Sequence, residues 1–390
     1  MSLPAYVGPC ALGIKMGIIL PGCDLPALIL ESLQSLERDG LLASRDVLCI
    51  TESVLARAQN NFVTTAEVAD EVKKKMSLSP NGKIGIVFPI ASRNRFNLVL
   101  EGIAAAVPQG EVILQLSYPC DEVGNQFIPP ETATELVSQK KDLITLQDLE
   151  KGYAHPITGV DYLKLYYETI ANTGAQPTIF LCNDPLKIFE YRPDAVLAAD
   201  IHSRETTRQK LTAGAARVFT LQDLFSDRHY RAWSEWGLLG SNMSAGDMIK
   251  LAPREAEKFV NDLQGLVSAE LGKDIEVIVN GDGAYKDPCS GIYELADPLS
   301  AFGATSGVDS LRQGFKYKYL IDLYHQEGKS KEEIEALLVE EAALEREPDS
   351  MELGGTTPRR MGDVLASLAD LVSGSADAGT PLVLIKGIVS

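Results

Sequence analysis

The residues best suited to chemistry stand in Val277-Ile278-Val279-Asn280-Gly281-Asp282-Gly283, with Asp287, Glu294 and Asp297 close behind. A β-branched apolar run that breaks into Asn-Gly-Asp-Gly reads as a strand entering a turn that uses glycine's freedom at positive φ. Asp282 then stands at a strand end. A carboxylate fixed there suits a hard divalent cation carrying nucleotide phosphates, with Asp287, Glu294 and Asp297 as further ligands or a base. The plainer alternative is an ordinary turn, for which Asn-Gly and Asp-Gly are common pairs.

Five other groups carry chemistry of their own. Ser53 and Arg57 follow the apolar run Asp46–Ile50 and together could hold an oxyanion. Gly237-Leu-Leu-Gly-Ser241-Asn242 is a loop whose amides could line a phosphate. Arg93 with Arg95 forms a candidate anion clamp, and Asp200 with His202 a candidate acid/base or metal pair; capping or ion pairing is the alternative for each. Arg359 and Arg360 follow Gly354-Gly-Thr-Thr-Pro358 and are assigned to the first turn of a helix running to Val372. Cations at the positive end of a helix dipole invite an anion.

These groups need elements to position them. Apolar residues at helical spacing predict a helix over 25–39, closed by Gly40, and another from Thr64 or Thr65 to Met76. Apolar runs at 84–88, 111–116, 177–181, 195–199 and 217–220, with a helix over 96–106, predict α/β layering. Arg93, Arg95, Asp121, Asp200 and His202 fall at the ends of those strands, where open α/β sheets bind ligands. A helix over 255–271, closed by Gly272, leads into the strand before Asp282. Ser330 caps an acidic helix over 331–345, and Pro381–Ile385 is the last strand.

A chain of 390 residues predicts two domains, or one with a large insertion. A net charge of −18 argues against nucleic acid or an anionic membrane as partner, because either would be repelled. No segment reaches the roughly 20 apolar residues of a membrane helix. The first residues lack the basic flank and apolar run of a signal peptide, so the expectation is a cytoplasmic protein. Six scattered cysteines without a CxxC pair predict reduced thiols and no structural zinc. GxxxxGK[ST] is absent, Leu323 standing where the first glycine would be; neither GxGxxG after a strand nor GxSxG occurs.

Both ends of the chain resemble the coenzyme F-420-0 gamma-glutamyl ligase family, in a longer bacterial variant. The resemblance is carried by Ile14 to Asp24, Asp46 to Gln59, Gly237 to Asn242, Val277 to Asp282 and Ala366 to Gly387. It implies an α+β fold: a mixed-sheet domain of the ligase type built from residues 1–80 and 235–390, with residues 81–234 as an inserted α/β layered segment. It also implies a homodimer that uses GTP with Mg or Mn. Such enzymes activate a carboxylate as an acyl phosphate and join it to L-glutamate. By motif position Asp282 would be a metal ligand, Ser53 and Arg57 would face phosphate, and Ser241 and Asn242 would belong to the metal and nucleotide loop.

The chain departs from the family at named positions. Leu239 stands where the family has an aspartate ligand, Arg57 replaces a lysine, and Gly281-Asp282-Gly283-Ala284-Tyr285 replaces DTxGR. A divalent ion loses a carboxylate at Leu239. Either Asp121 or Asp200 of the inserted segment rebuilds the site with Asp282, or the chemistry has changed. Two rivals stand beside a ligase: a non-catalytic nucleotide or small-molecule binder that keeps the scaffold, and a metal-dependent hydrolase centred on Asp200 and His202.

Overall fold

The computed structural model describes residues 4, 6–139, 141, 143–149, 154, 159–214, 217–283, 296–312, 314, 316–344, 359–373 and 379–389. Asp287, Glu294, Cys289 and Gly354 to Pro358 lie outside them.

The fold is α+β and is organised by two sheets. The first is mixed, in the order Cys10–Ile14, Leu382–Lys386, Val47–Thr51, Glu276–Asn280, Ala301–Ala304. Its middle pair, Val47–Thr51 and Glu276–Asn280, runs parallel, with Val47 opposite Glu276 and Thr51 opposite Asn280. Both strands therefore end at one edge, and the residues that follow them, Glu52 and Gly281-Asp282, leave the sheet together. Period-two alternation sends Leu48, Ile50, Val277 and Val279 to one face. There they meet helices Leu25–Arg38 and Ala256–Leu271. Val47, Cys49, Ile278 and Val383 face the other way, onto Leu365 and Ala369 of helix Met361–Ser373. Each fully buried aliphatic side chain adds about 1.5–3 kcal/mol to this three-layer packing.

The second sheet has the order Ile144–Thr145, Gln176–Leu181, Glu111–Leu116, Lys83–Val87, Ala195–Ala198, Val218–Thr220. All its pairings are parallel except that of the first edge strand. Its central strands are apolar on both faces, as parallel strands covered by helices must be. Helix Thr65–Met76 shares a core with helix Leu98–Ala105 and this second sheet, through Val68, Val72 and Met76.

A small antiparallel sheet, Asn242–Met243, Met248–Lys250 and Phe62–Thr64, joins the two. Beside it Asn61, fully buried, donates to the Trp233 and Ala252 carbonyls at 2.8 Å each. Its oxygen accepts from Trp233 N and Arg254 Nη1 at 3.0 and 3.1 Å. One amide thus ties three distant stretches of chain.

Thr64, Gly272 and Ser330 take the capping places that the sequence assigns them, and Asp24, which it did not mark, caps the first helix. Arg359 and Arg360 do not stand in the first turn of a helix. They form a two-residue strand against Leu311–Arg312, and the helix starts after them, at Met361. Both are exposed. Pairing across the chain is stronger than the local Pro-Arg-Arg signal here, and the helix-dipole argument for an anion at Arg359 loses its premise.

Candidate functional site

Arg95 comes from the second sheet's side of the molecule. It sits on a π-helical turn, Arg93–Asn97, that precedes helix Leu98–Ala105. Ser92 caps the turn by accepting from Arg95 N, and Asn94 reaches the loop strand by donating to Asn242 at 3.0 Å. This aims Arg95 at the edge where the first sheet's parallel strands end. Its Nη2 lies 2.8 and 2.9 Å from the two oxygens of Asp282, its Nη1 2.5 Å from Asp297 Oδ1. The Gly240 carbonyl accepts from Nη1 at 3.4 Å.

The two acids also fasten each other. Asp282 N donates to Asp297 Oδ2, while Ala296 N and Asp297 N donate to Asp282 Oδ2, at 2.9–3.0 Å. Gly281 and Gly283 are needed for closeness and not for positive φ, which neither adopts. A Cβ on Gly281 would lie 2.6 Å from Asp297 Oδ2, and one on Gly283 2.8 Å from Asp370 Oδ2. Asp370 accepts from Gly283 N at 2.7 Å. The expected left-handed turn is therefore replaced by a backbone that runs directly against two carboxylates.

Behind Arg95 lies a second buried ion pair. Lys250 Nζ is 3.0 and 2.7 Å from the oxygens of Glu52, the first residue of helix Glu52–Ala58. Both side chains are buried. Burial raises the Glu52 pKa, Lys250 opposes this, and the Asp297 carboxylate adds to it. The Asp282 pKa is pushed up to about 7, first by burial and then by Asp297, against the pull of Arg95. Burial works against the charge on Arg95, yet Asp297 and Asp282 hold its pKa above the ordinary value. The partners respond in opposite senses because one guanidinium serves two acids with Glu52 nearby: the cation is over-compensated and Asp282 under-compensated. Among the described residues three carboxylates, Glu52, Asp282 and Asp297, interact with one another and with two cations, Arg95 and Lys250.

Two polar atoms beside the cluster have no hydrogen-bond partner among the described residues. They are Ser241 Oγ, next to Gly240, and Asn280 Oδ1, two residues before Asp282; both residues are 2% exposed. Buried polar atoms left unpaired cost roughly 1–3 kcal/mol, so they mark a place built for something further. Carboxylate, amide and hydroxyl oxygens are the donor set of a hard cation such as Mg or Mn. As folded, no three of the described acidic residues converge on one point as metal ligands.

The structure brings together Asp282, Asp297, Arg95, Ser241 and, through Asn94, Asn242. Glu52, Lys250 and Asp370 join them without having been singled out, and Asn280 joins from the stretch already named. Lys250 carried a signal, a charge inside the apolar stretch Met248-Ile-Lys-Leu-Ala252. Ser53 and Arg57 share an exposed face of their helix, and Arg57 Nε donates to the Ile19 carbonyl at 2.7 Å. Arg93 is exposed. Asp200 is buried, accepting from Thr207 Oγ1 at 2.7 Å, while the His202 side chain is exposed and its amide donates to Glu122. Asp121 is taken up by the amides of Ala91, Val123 and Asn125. Leu239 is buried in the apolar core. The middle segment thus delivers a cation, Arg95, where the loss at Leu239 suggested that Asp121 or Asp200 would supply an acid.

These features define a mixed α+β protein whose buried, acid-rich site lies where strand ends of one sheet meet the helical turn of another. Residues 13–387 match the model of the family described as F420-0:Gamma-glutamyl ligase, and the chain belongs to that family. No curated protein was found to match the chain. No described helix is long and apolar enough to cross a membrane.

Proposed function

We propose that this protein is a ligase, dependent on GTP and on Mg or Mn, that joins L-glutamate to a carboxylate acceptor such as coenzyme F-420-0. The bond is a gamma-glutamyl-type amide formed through an acyl phosphate. The observation that carries this reading is the gathering of the Glu52, Asp282 and Asp297 carboxylates around Arg95, beside Ser241 Oγ and Asn280 Oδ1, which have no hydrogen-bond partner among the described residues. Asp282, Asp297 and Asn280 would hold the metal, which supplies positive charge for phosphoryl transfer. Arg95 offers a planar fork for phosphate, and Ser241 with Asn242 line the same loop. Glu52, with its raised proton affinity, is suited to take a proton from the attacking amine as phosphate leaves the acyl carbon. The homodimer, the cytoplasmic setting and the division at residues 81 and 234 belong to the same reading.

The test combines binding and turnover. GTP with Mn, at about a hundred times its dissociation constant, should add roughly 2.7 kcal/mol to the native state and raise the unfolding midpoint. Phosphate release should require both L-glutamate and an acceptor carboxylate. Asp282→Asn should abolish metal-dependent nucleotide stabilisation; unchanged stabilisation removes Asp282 from the site. Binding without turnover would favour a non-catalytic binder, and release without acceptor a hydrolase.

A further inference from the structure

Arg95, Asp282 and Asp297 satisfy one another in a way that bears on how ligands enter. Both Asp282 oxygens are bonded to Arg95, and Oδ2 also accepts two amides. Asp297 gives one oxygen to Arg95 and the other to the Asp282 amide. Every oxygen of the pair is therefore engaged, and the guanidinium acts as the resident counter-cation. Ser241 Oγ and Asn280 Oδ1 nevertheless stay unpaired beside it, so this arrangement does not use all that the site presents. Arg95 stands on a π-helical turn, a form in which one extra residue is held within a helical turn and which recurs at functional positions.

We infer that nucleotide and divalent metal enter this site as a coupled pair: Arg95 passes from Asp282 and Asp297 to a nucleotide phosphate, which frees those carboxylates for the metal. This rests on the reading of the site as one for nucleotide and metal. The exchange keeps Arg95 and both acids paired, since a guanidinium fork can grip a phosphate bidentately as it grips a carboxylate. Either ligand alone leaves a charge uncompensated: metal alone displaces Arg95 with nowhere to go, and phosphate alone strips the acids of their cation. Because coupling between binding sites is reciprocal, each ligand must tighten the other by the same factor.

The experiment is isothermal titration of the full chain with Mn and with GDP, each in the absence and presence of the other, for the wild type and for Arg95→Met. The wild type should bind Mn about tenfold or more tighter with GDP present, and GDP tighter with Mn by the same factor. Arg95→Met should bind Mn without GDP, with the coupling nearly gone. Equal Mn affinity with and without GDP in the wild type, or full coupling in Arg95→Met, overturns the inference while leaving the functional reading intact. Failure of the wild type to bind either ligand in any combination overturns both. Should Arg95→Met not fold, Arg95→Lys serves, because an ammonium cannot hold Asp282 bidentately while also bridging Asp297. Its coupling should be weakened, and wild-type coupling there again overturns the inference.

Discussion

A guanidinium shared between two acids cannot neutralise both, and the buried carboxylates of this chain record such shortfalls individually. Asp200 is a separate case: burial is the main reason its pKa rises to about 6, with Glu122 adding to it against the Thr207 hydrogen bond. A pKa raised on folding means that the native state binds the proton more tightly. The associated stability is complete below the unfolded value near 3.8 and is lost as pH rises through 6. Asp200→Asn should therefore remove about 1 kcal/mol of the decline in urea-measured stability between pH 5 and 7. A decline as steep as that of the wild type would show that Asp200 is not its source. The Lys250–Glu52 pair calls for a different experiment. Lys250→Met strands a buried carboxylate beside Asp297 and should cost roughly 3–5 kcal/mol, whereas adding Glu52→Gln should recover most of it. Additive losses in the double variant would mean that the pair is not coupled. Sequence reading could mark Asp282 and Asp297, because a strand end and its acids are local. It could not choose between Arg93 and Arg95, whose roles differ only through partners 187 and 202 residues away. Glu52 and Lys250 are 198 residues apart, and neither has a sequence neighbour that reveals the other.

Elements were legible in proportion to how locally they are fixed. Thr64 and Glu67 form a reciprocal capping box, and Arg231 adds a hydrogen bond to Glu67. The box joins the small connecting sheet to the helix that packs on the α/β layer. Thr64→Ala should lower the stability of the whole chain by about 1 kcal/mol, visible as a shifted denaturation midpoint with an unchanged slope. A changed slope would mean that the helix end unfolds separately. The parallel strands were readable from their unbroken apolar runs, as was the layering they imply. The π-helical turn before Leu98 was not, because a single inserted residue leaves the apolar spacing of the following helix almost untouched. The Arg359–Arg360 strand was misread for a related reason: its partner, Leu311–Arg312, lies far back in the chain. The glycines at 281 and 283 were recognised as necessary, but their cause is the approach of Asp297 and Asp370, which only the assembled fold supplies.

At the scale of the whole molecule, Asn61 is a polar tie beside the small sheet that connects the two larger ones. It makes four hydrogen bonds to Trp233, Ala252 and Arg254 while fully buried. Asn61→Ala should leave several main-chain groups unpaired and destabilise the chain by at least 2–3 kcal/mol. Cooperative unfolding should also split if this contact is what makes the sheets melt together; a single transition at the wild-type midpoint would assign the joint elsewhere. Residues 13–387 form one family match although the chain crosses between sheets several times, so family membership follows a constellation that no single stretch contains. The mixed sheet adds a matter of timing. Leu382–Lys386 is an interior strand, lying between Cys10–Ile14 and Val47–Thr51, and Lys386 is paired with the buried Asp46. On the ribosome, the sheet of residues 83–220 can close while Cys10–Ile14 still waits for Leu382–Lys386, the last of the mixed sheet's described strands in chain order. Without that strand Cys10–Ile14 has no partner in the sheet, and Asp46 lacks the lysine that pairs with it.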